Sequence, residues 1–327
     1  MKIRPLQRGC AWLLCVLLLV GSLAGCNTGE VEEEEISTDP AYLYETVFDG
    51  GAEYEACAPE AGSALLYDLT SRQQLYGKNV HLQTAPASLT KLLTAIVAAR
   101  LVPLDTVVTV GSELALTAEN SSICQIAAGQ QLTLRNLLEG MLLVSGNDAA
   151  QVVAVNTARI SSGNMALSDL EAREAFCALM NTAAADLGAT ESHFLTPDGW
   201  DTQGQYTTAA DVLRFAVYAL SIPEIAEIVA KTDDYITFDS GEHITWTNTN
   251  VLLQPGGAYY YADCVGIKTG TTDAAGRCLV AAARRNGRTL IAVVMNCPSD
   301  DARYRSAIQL FEQGFAAEIT GEEGVVG

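Results

Sequence analysis

Local clusters of metal-binding side chains are missing from this chain of 327 residues. It has three histidines and nine cysteines, but it contains no C-x-x-C and no H-E-x-x-H. A zinc site is therefore not expected, and nothing else in the sequence calls for a cofactor. G-x-S-x-G is also absent, which together with the few histidines disfavours a hydrolase of the Ser-His-Asp type.

Positive charge is scarce. Lysine and arginine number 19 against 39 aspartates and glutamates, which leaves a formal net charge of −20. No part of the body forms a basic stripe, so nucleic acid is not an expected partner. Because 49% of the residues are apolar, the chain should instead be a globular protein with an acidic surface, and it is long enough for one large or two intertwined domains.

Long apolar runs are absent except at the start of the chain. Residues 1–25 combine a positive beginning with an apolar run from Cys10 to Leu23, which has signal-peptide length and is short for a membrane span. The text Leu23-Ala24-Gly25-Cys26 resembles a bacterial lipobox, which implies lipidation of Cys26 and an anchor at the extracytoplasmic face of the bacterial cell envelope. A conventional signal peptide with an incidental cysteine is the alternative. Residues 26–61 then form an acidic tether.

Six cysteines follow Cys26, and their spacing does not choose between disulfides and buried free thiols. They are Cys57, Cys124, Cys177, Cys264, Cys278 and Cys297.

Strand patterns lie at both ends of the body, with helical patterns between them. The simplest packing is one antiparallel sheet built from both ends, into which a mostly helical subdomain at about 101–235 is inserted. This predicts an α/β (α+β) catalytic domain over 62–318 and a tail at 319–327. The expected strands are 63–68, 74–78, 107–110, 235–238, 244–246, 265–269, 277–283 and 289–295, and the expected helices are 92–100, 132–144, 148–159, 169–187, 208–220 and 300–315.

Ser88 and Lys91 are spaced so that one helical face carries both side chains. Pro86 and the serine itself are helix-initiating signals, so Ser88 should lie on the first turn. A serine attacks carbonyls only if a base takes its proton, and a lysine can do so when burial leaves it neutral. Taken alone, the Ser-x-x-Lys match is weak.

Two further motifs strengthen the match. Ser145-Gly146-Asn147 lies between two predicted helices, and Lys268-Thr269-Gly270 follows an apolar stretch. Each alone reads as a helix break or a strand end. The three motifs in this order are the set found in class A β-lactamases and penicillin-binding proteins.

The surrounding text resembles the low-molecular-mass penicillin-binding proteins that act as serine-type D-alanyl-D-alanine carboxypeptidases. The resemblance runs from about residue 64 to 315 and also includes Met180-Asn181, His193-Phe194 and Trp246-Thr247-Asn248-Thr249-Asn250. It implies a β-lactamase/transpeptidase-like fold, with a five-stranded antiparallel sheet flanked by helices. It also implies that the protein trims the terminal D-alanine from peptidoglycan stem peptides, and that β-lactam antibiotics inhibit it covalently.

The resemblance implies a role for each matching residue. The nucleophile falls on Ser88 and the general base on Lys91, while the proton relay to the leaving amine falls on Ser145. The side chain that binds the substrate's peptide group falls on Asn147, and the cation that attracts its carboxylate falls on Lys268.

The same resemblance places the substrate along a strand. Thr269, Gly270 and Thr271 line it, and the amides of Ser88 and Thr271 form the oxyanion hole, which is the usual stabiliser of a tetrahedral intermediate.

Two departures from the family pattern concern the rim of the site. The family often has Asn-Pro-His-Gly where this chain has Thr196-Pro197-Asp198-Gly199, which puts the role of that loop in doubt. An arginine that some members carry after the last strand is not matched in place, so Arg303 and Arg305 stay open as substitutes.

Two alternative functions remain. A class A β-lactamase would need a deacylating Glu followed four residues later by Asn, and no E-x-x-x-N occurs. A catalytically idle, lipid-tethered penicillin- or peptidoglycan-binding protein would not need the intact set of reactive side chains.

Overall fold

The computed structural model describes Ala58 and residues 60–238 and 241–317. The predicted signal peptide, Cys26 with nearly all of the tether, Cys57 and the tail at 319–327 lie outside the described residues.

Nine strands and seven helices occur in this part of the chain. The strands are β1 (Ser63–Asp68), β2 (Gln73–Lys78), β3 (Val107–Thr109), β4 (Gln131–Thr133), β5 (Asp233–Thr237), β6 (His243–Thr247), β7 (Cys264–Thr272), β8 (Gly276–Arg285) and β9 (Arg288–Cys297). The helices are α1 (Thr90–Leu101), α2 (Leu134–Leu142), α3 (Asn147–Ser162), α4 (Asp169–Asp186), α5 (Ala209–Leu220), α6 (Pro223–Ala230) and α7 (Asp300–Ala316).

The main sheet joins the two ends of the chain. Its five strands lie in the order β2-β1-β9-β8-β7, and every neighbouring pair is antiparallel. Ser63 of β1 lies opposite Met295 of β9, so the sheet expected from both ends is confirmed. Among the described strands, β7 pairs with β8 alone, so β7 is an edge strand whose other side is free.

Both faces of the sheet are covered. Along β1, Leu65 and Tyr67 point into a core shared with α1, whereas Ala64 and Leu66 point into a second core shared with α7. This alternation is the period-two pattern of a strand, but with apolar residues on both faces. The sheet is therefore sandwiched between the inserted helices and the last helix.

Helix starts follow ordinary capping chemistry. Ser168 and Glu171 form a capping box at the start of α4, and Thr208 caps α5 by accepting a hydrogen bond from Asp211 N.

Four elements differ from the sequence expectation. α6 is not among the expected helices: Pro223 lies just beyond the expected helix at 208–220, and it is the first residue of a new helix. β4 is a three-residue strand paired with β3, too short to give a pattern. β5 and β6 pair only with each other and stay outside the main sheet.

Candidate active site

Ser88 lies in a tight 3-10 turn over Ala87–Leu89 that runs directly into α1. The expected first turn of the helix is thus a 3-10 turn, and its serine caps nothing with its side chain. Ala87 has a φ of +47°, a strained conformation for a residue with a side chain. This conformation turns the chain sharply just before Ser88, whose side chain is half-buried.

Lys91 is fully buried at 0% exposure, one turn beyond Ser88. Its Nζ donates to Ser88 Oγ at 2.8 Å, to Asn147 Oδ1 at 2.7 Å and to the Asp198 carbonyl at 2.7 Å. A neutral amine has two N–H groups and one lone pair. The amide oxygen and the carbonyl can only accept, so they take both N–H groups, and the lone pair of a neutral Lys91 faces the Ser88 hydroxyl.

Burial makes that neutral state accessible. It lowers the pKa of Lys91 from its ordinary value to about 8, against the opposing charges of Asp198 and Asp148. The predicted pair of nucleophile and base is therefore brought together in a geometry suited to proton transfer.

Asn147 is the first residue of α3 and is 5% exposed. Gly146 before it packs so closely that a Cβ there would lie 2.9 Å from the Cys124 Cβ. Ser145 has a φ of +62° and is 6% exposed. Within the described part of the chain, no hydrogen bond joins Ser145 Oγ to Lys91 or Lys268, so the structure places Ser145 beside Asn147 without linking it to either lysine.

Lys268 is 1% exposed on β7, and its Nζ donates to the Thr269 carbonyl at 3.0 Å. Burial, together with the charges of Lys91 and Arg303, holds the pKa of Lys268 well below its ordinary value. No carboxylate of the described residues lies within ion-pair distance of Lys268, so a carboxylate that entered the site would supply a counter-charge.

Gly270 and Thr271 bring the edge strand against the nucleophile. A Cβ at Gly270 would meet Ala87 Cβ at 3.1 Å and Ser88 N at 3.3 Å, so a larger residue would push β7 away. Thr271 is exposed on the same strand, and Thr269 shares a 2.7 Å hydrogen bond with the Thr249 hydroxyl. The free side of β7 thus runs past Ser88.

Arg303 and Arg305 lie in different surroundings. Arg303 Nη1 donates to the Gly270 carbonyl at 3.2 Å and to Thr271 Oγ1 at 3.2 Å. Arg305 is exposed and pairs with Asp301 of its own helix. Of the two arginines left open by the sequence, Arg303 is the one at β7.

Three of the predicted site residues, Ser88, Asn147 and Thr271, line a small cleft between β7 and the helical region. It is lined by Ser88, Ser121, Ser122, Asn147, Asp198, Gly199, Trp200, Thr271 and Thr272.

Two of the segments that form the walls of this cleft are not predicted from the sequence. Ser121 and Ser122 lie in an irregular segment, which the Asp148 carboxylate holds by accepting from the backbone N–H groups of Cys124 and Gln125. Asp198 and Trp200 come from the loop whose departure from the family pattern was noted. That departure was the one available signal, since neither segment has a periodic pattern.

The five cysteines in the described part of the chain are thiols. Cys124, Cys177, Cys264, Cys278 and Cys297 are all unpaired, and burial raises the pKa of each of them. Of the two states left open for the cysteines, the described five are thus free thiols.

The described residues contain neither a cluster of metal-binding side chains nor a membrane-spanning helix. No group of three or more His, Cys, Asp or Glu side chains there could hold a metal ion. No helix among them combines the length and apolarity needed to span a bilayer.

Comparison with known proteins gives one consistent family. A family model described as D-alanyl-D-alanine carboxypeptidase matches residues 52–299, more than half of the chain. The chain is 35% identical over 257 residues to the D-alanyl-D-alanine carboxypeptidase DacB2 of Mycobacterium tuberculosis, covering 77% of this chain and 81% of that one. It is 32% identical over 256 residues to a D-alanyl-D-alanine carboxypeptidase of a Streptomyces species, covering 74% and 82%.

Solved structures agree in fold. The crystal structure of the Streptomyces K15 DD-transpeptidase superposes with a TM-score of 0.72 at 28% identity, covering 83% of this chain and 100% of that one. A penicillin-binding protein homolog of Mycobacterium tuberculosis superposes with a TM-score of 0.70 at 31% identity, covering 84% and 98%.

Proposed function

This chain belongs to the D-alanyl-D-alanine carboxypeptidase family, and from that premise we propose that Ser88 is the nucleophile with which it trims peptidoglycan stem peptides. It is a serine-type hydrolase of the cell envelope with a penicillin-binding-protein fold. The observation that carries the assignment of Ser88 is the buried Lys91 amine, which is 2.8 Å from the Ser88 hydroxyl and has both of its other partners fixed as acceptors.

In the acylation step, Ser88 Oγ attacks the carbonyl between the two terminal D-alanines while Lys91 Nζ takes its proton. The amides of Ser88 and Thr271 receive the oxyanion. The C–N bond then breaks as Ser145 gives its hydroxyl proton to the departing amine, which leaves as D-alanine. Ser145 regains a proton from the protonated Lys91, so the base is neutral again. Water next cleaves the ester, releasing the shortened peptide and restoring the Ser88 hydroxyl.

Substrate placement follows from the cleft. The extended stem peptide adds along the free side of β7, past Thr269, Gly270 and Thr271, as peptides do at sheet edges. Asn147 binds the peptide group. The terminal carboxylate lies towards Lys268, where it supplies the counter-charge that the buried ammonium lacks, and Arg303 supports it from behind β7.

The lipid anchor belongs to this proposal as well. Cys26 follows an apolar signal segment and is the last residue of a lipobox-like motif. We therefore infer that the mature chain starts at a lipidated Cys26. The acidic stretch that follows would then hold the catalytic domain away from the membrane, on its extracytoplasmic face.

The test uses the full-length chain in mild detergent with a fluorescent penicillin and a peptide ending in D-Ala-D-Ala. We expect a covalent label on the protein, slow loss of that label and release of free D-alanine from the peptide. Ser88→Ala should abolish both labelling and release, whereas Ser161→Ala, on α3 away from the cleft, should keep them. Labelling that survives Ser88→Ala would refute the nucleophile, and rapid loss of the label without D-alanine release would favour a β-lactamase.

A further inference from the structure

One buried carboxylate at the site has no part in the reaction as proposed. Asp198 is 2% exposed. Its Oδ1 accepts from Trp200 N at 3.0 Å and its Oδ2 from Gln151 Nε2 at 2.9 Å. No Lys, Arg or His nitrogen of the described residues lies within ion-pair distance of this carboxylate. A buried charge held by neutral donors alone is costly, so its presence here calls for a reason.

We propose that Asp198 is a positioning residue for acylation: its backbone carbonyl aims the Lys91 amine at Ser88, and its carboxylate charge sets the pH range in which that amine can accept a proton. The inference rests on the proposed function, in which Lys91 is the base.

The positioning role of Asp198 follows from the contacts that fix its loop. The Asp198 carbonyl is one of the two pure acceptors that fix Lys91 Nζ, so its place decides where the lone pair points. The Pro197 carbonyl accepts from Thr94 Oγ1 of α1 at 2.6 Å, which fixes one side of this carbonyl. The Asp198 side chain fixes the other side through Gln151 of α3.

The charge half follows from what faces Lys91. Lys91 Nζ donates to the carbonyl of Asp198 itself at 2.7 Å, and to Oδ1 of Asn147, the neighbour of Asp148, also at 2.7 Å, so both carboxylates belong to the segments that contact the amine. The positive charge of Lys268 acts on the amine from β7. Of the two carboxylates that raise the pKa of Lys91, Asp198 has the larger effect. Without its charge, burial would act with less opposition, and the amine would be neutral at lower pH.

The surroundings allow the charge to be removed with little change of shape. Gln151 Oε1 is buried and has no hydrogen-bond partner in the described structure. In Asp198→Asn, rotation of the Gln151 amide by half a turn would offer this oxygen to the new NH₂ group, while the new amide oxygen could still accept from Trp200 N. The variant therefore separates charge from position.

The experiment measures the second-order rate of labelling by a fluorescent penicillin from pH 5.5 to 10, on the full-length chain. The rate should rise with pH and then level off. In Asp198→Asn the rising limb should move to lower pH by about one unit. At any pH where the wild-type rate is still rising, the variant should therefore be labelled roughly tenfold faster than the wild-type protein. Asp211→Asn, another buried carboxylate but one that does not act on Lys91, should leave the limb in place.

A second variant tests position without changing charge. Gln151→Met removes the donor to Asp198 and keeps the carboxylate. The plateau rate should therefore fall severalfold, while the rising limb does not move to lower pH.

An unmoved limb in Asp198→Asn, or an equal loss of labelling at every pH, would overturn the charge role. An unchanged plateau in Gln151→Met would overturn the positioning role. If Asp198→Asn does not fold, a Gln151→Met plateau equal to that of the wild type overturns the proposal by itself. Absence of labelling in the wild-type protein would instead overturn the proposed function.

Discussion

The chemistry of this site depends on what one amine can accept and donate. Lys91 has three neighbours within 2.8 Å, and two of them have no proton to give. When protonated, it donates to all three and cannot act as a base. When neutral, its lone pair has a single remaining direction, towards Ser88. In the proposed mechanism, the protonation state of Lys91 therefore decides whether Ser88 can be activated.

The first prediction concerns the pH dependence of acylation in the wild-type protein. Burial lowers the pKa of Lys91 to about 8, and the base must be neutral. The rate should therefore climb about tenfold for each pH unit while the amine is still protonated, and flatten once the pH exceeds that value. Stopped-flow or gel-based labelling with a fluorescent penicillin measures this.

Lys91→Arg provides the control, since it keeps a cation that cannot lose its proton. Acylation should fall by about 10²–10⁴-fold, with no rising limb near neutral pH. A wild-type rate that is flat from pH 6 to 10 would show that Lys91 does not take the proton.

At the scale of elements, the site exists because three pieces of chain approach one another without side chains between them. Gly270 lets β7 touch the turn that carries Ser88, and Gly146 lets the start of α3 touch Cys124. Gly199 does the same for the loop that holds Asp198, because a Cβ there would overlap the Ala87 carbonyl. Glycine is the residue that permits such close backbone contact.

The second prediction tests the tightest of these contacts. In Gly199→Ala the new Cβ would lie 1.8 Å from the Ala87 carbonyl oxygen, at a φ of +81°. Left-handed strain and overpacking together should lower the free energy of unfolding by about 2–4 kcal/mol and displace the Ser88 turn, so labelling should fall sharply. Thermal unfolding and penicillin labelling measure the two effects.

Gly204→Ala is the matched control in the same loop. Its φ is +91°, but the nearest atom to a Cβ would be Leu195 Cδ1 at 3.6 Å, an ordinary contact. Gly204→Ala therefore introduces backbone strain without a steric clash. Its free energy of unfolding should fall less than that of Gly199→Ala, and its penicillin labelling should be retained. Equal losses in both variants would contradict the role given to the Gly199 contact.

Elements with a strong pattern were predictable from the sequence, and the rest of the site was not. The alternation and turn signals of β1, β2, β8 and β9 identified those strands within a few residues, and helical spacing placed Ser88 and Lys91 on one face. The third partner of Lys91 is a backbone carbonyl, which every residue has and no sequence pattern marks. Likewise, the wall at Ser121 and Ser122 is held by long-range bonds to Asp148, which local patterns do not encode.

At the scale of the whole molecule, the sheet brings distant segments into one cleft. β1 and β9 pair across more than 200 residues of chain, and β7 ends up at the edge beside the helices of the inserted region. Ser88, the proposed nucleophile, comes from the turn before α1, and Lys268, the proposed carboxylate-binding cation, comes from β7. Stability of the sheet and integrity of the site are therefore linked, although the motifs themselves are short.

The last prediction concerns where this molecule resides. A lipidated Cys26 would bury alkyl chains in the bilayer, at about 0.8 kcal/mol per CH₂ group, whereas a chain whose formal net charge is −20 should be repelled by anionic lipid. Expressed in a bacterium, the wild-type protein should partition into the detergent phase of Triton X-114. Cys26→Ser should block lipidation and move the processed protein to the aqueous phase. Penicillin labelling should be unchanged, because the site lies more than 60 residues further along the chain.

Cys15→Ser is the control: it lies within the segment that is removed, so this variant should behave as wild type. Partition of Cys26→Ser like the wild-type protein would show that the anchor lies elsewhere.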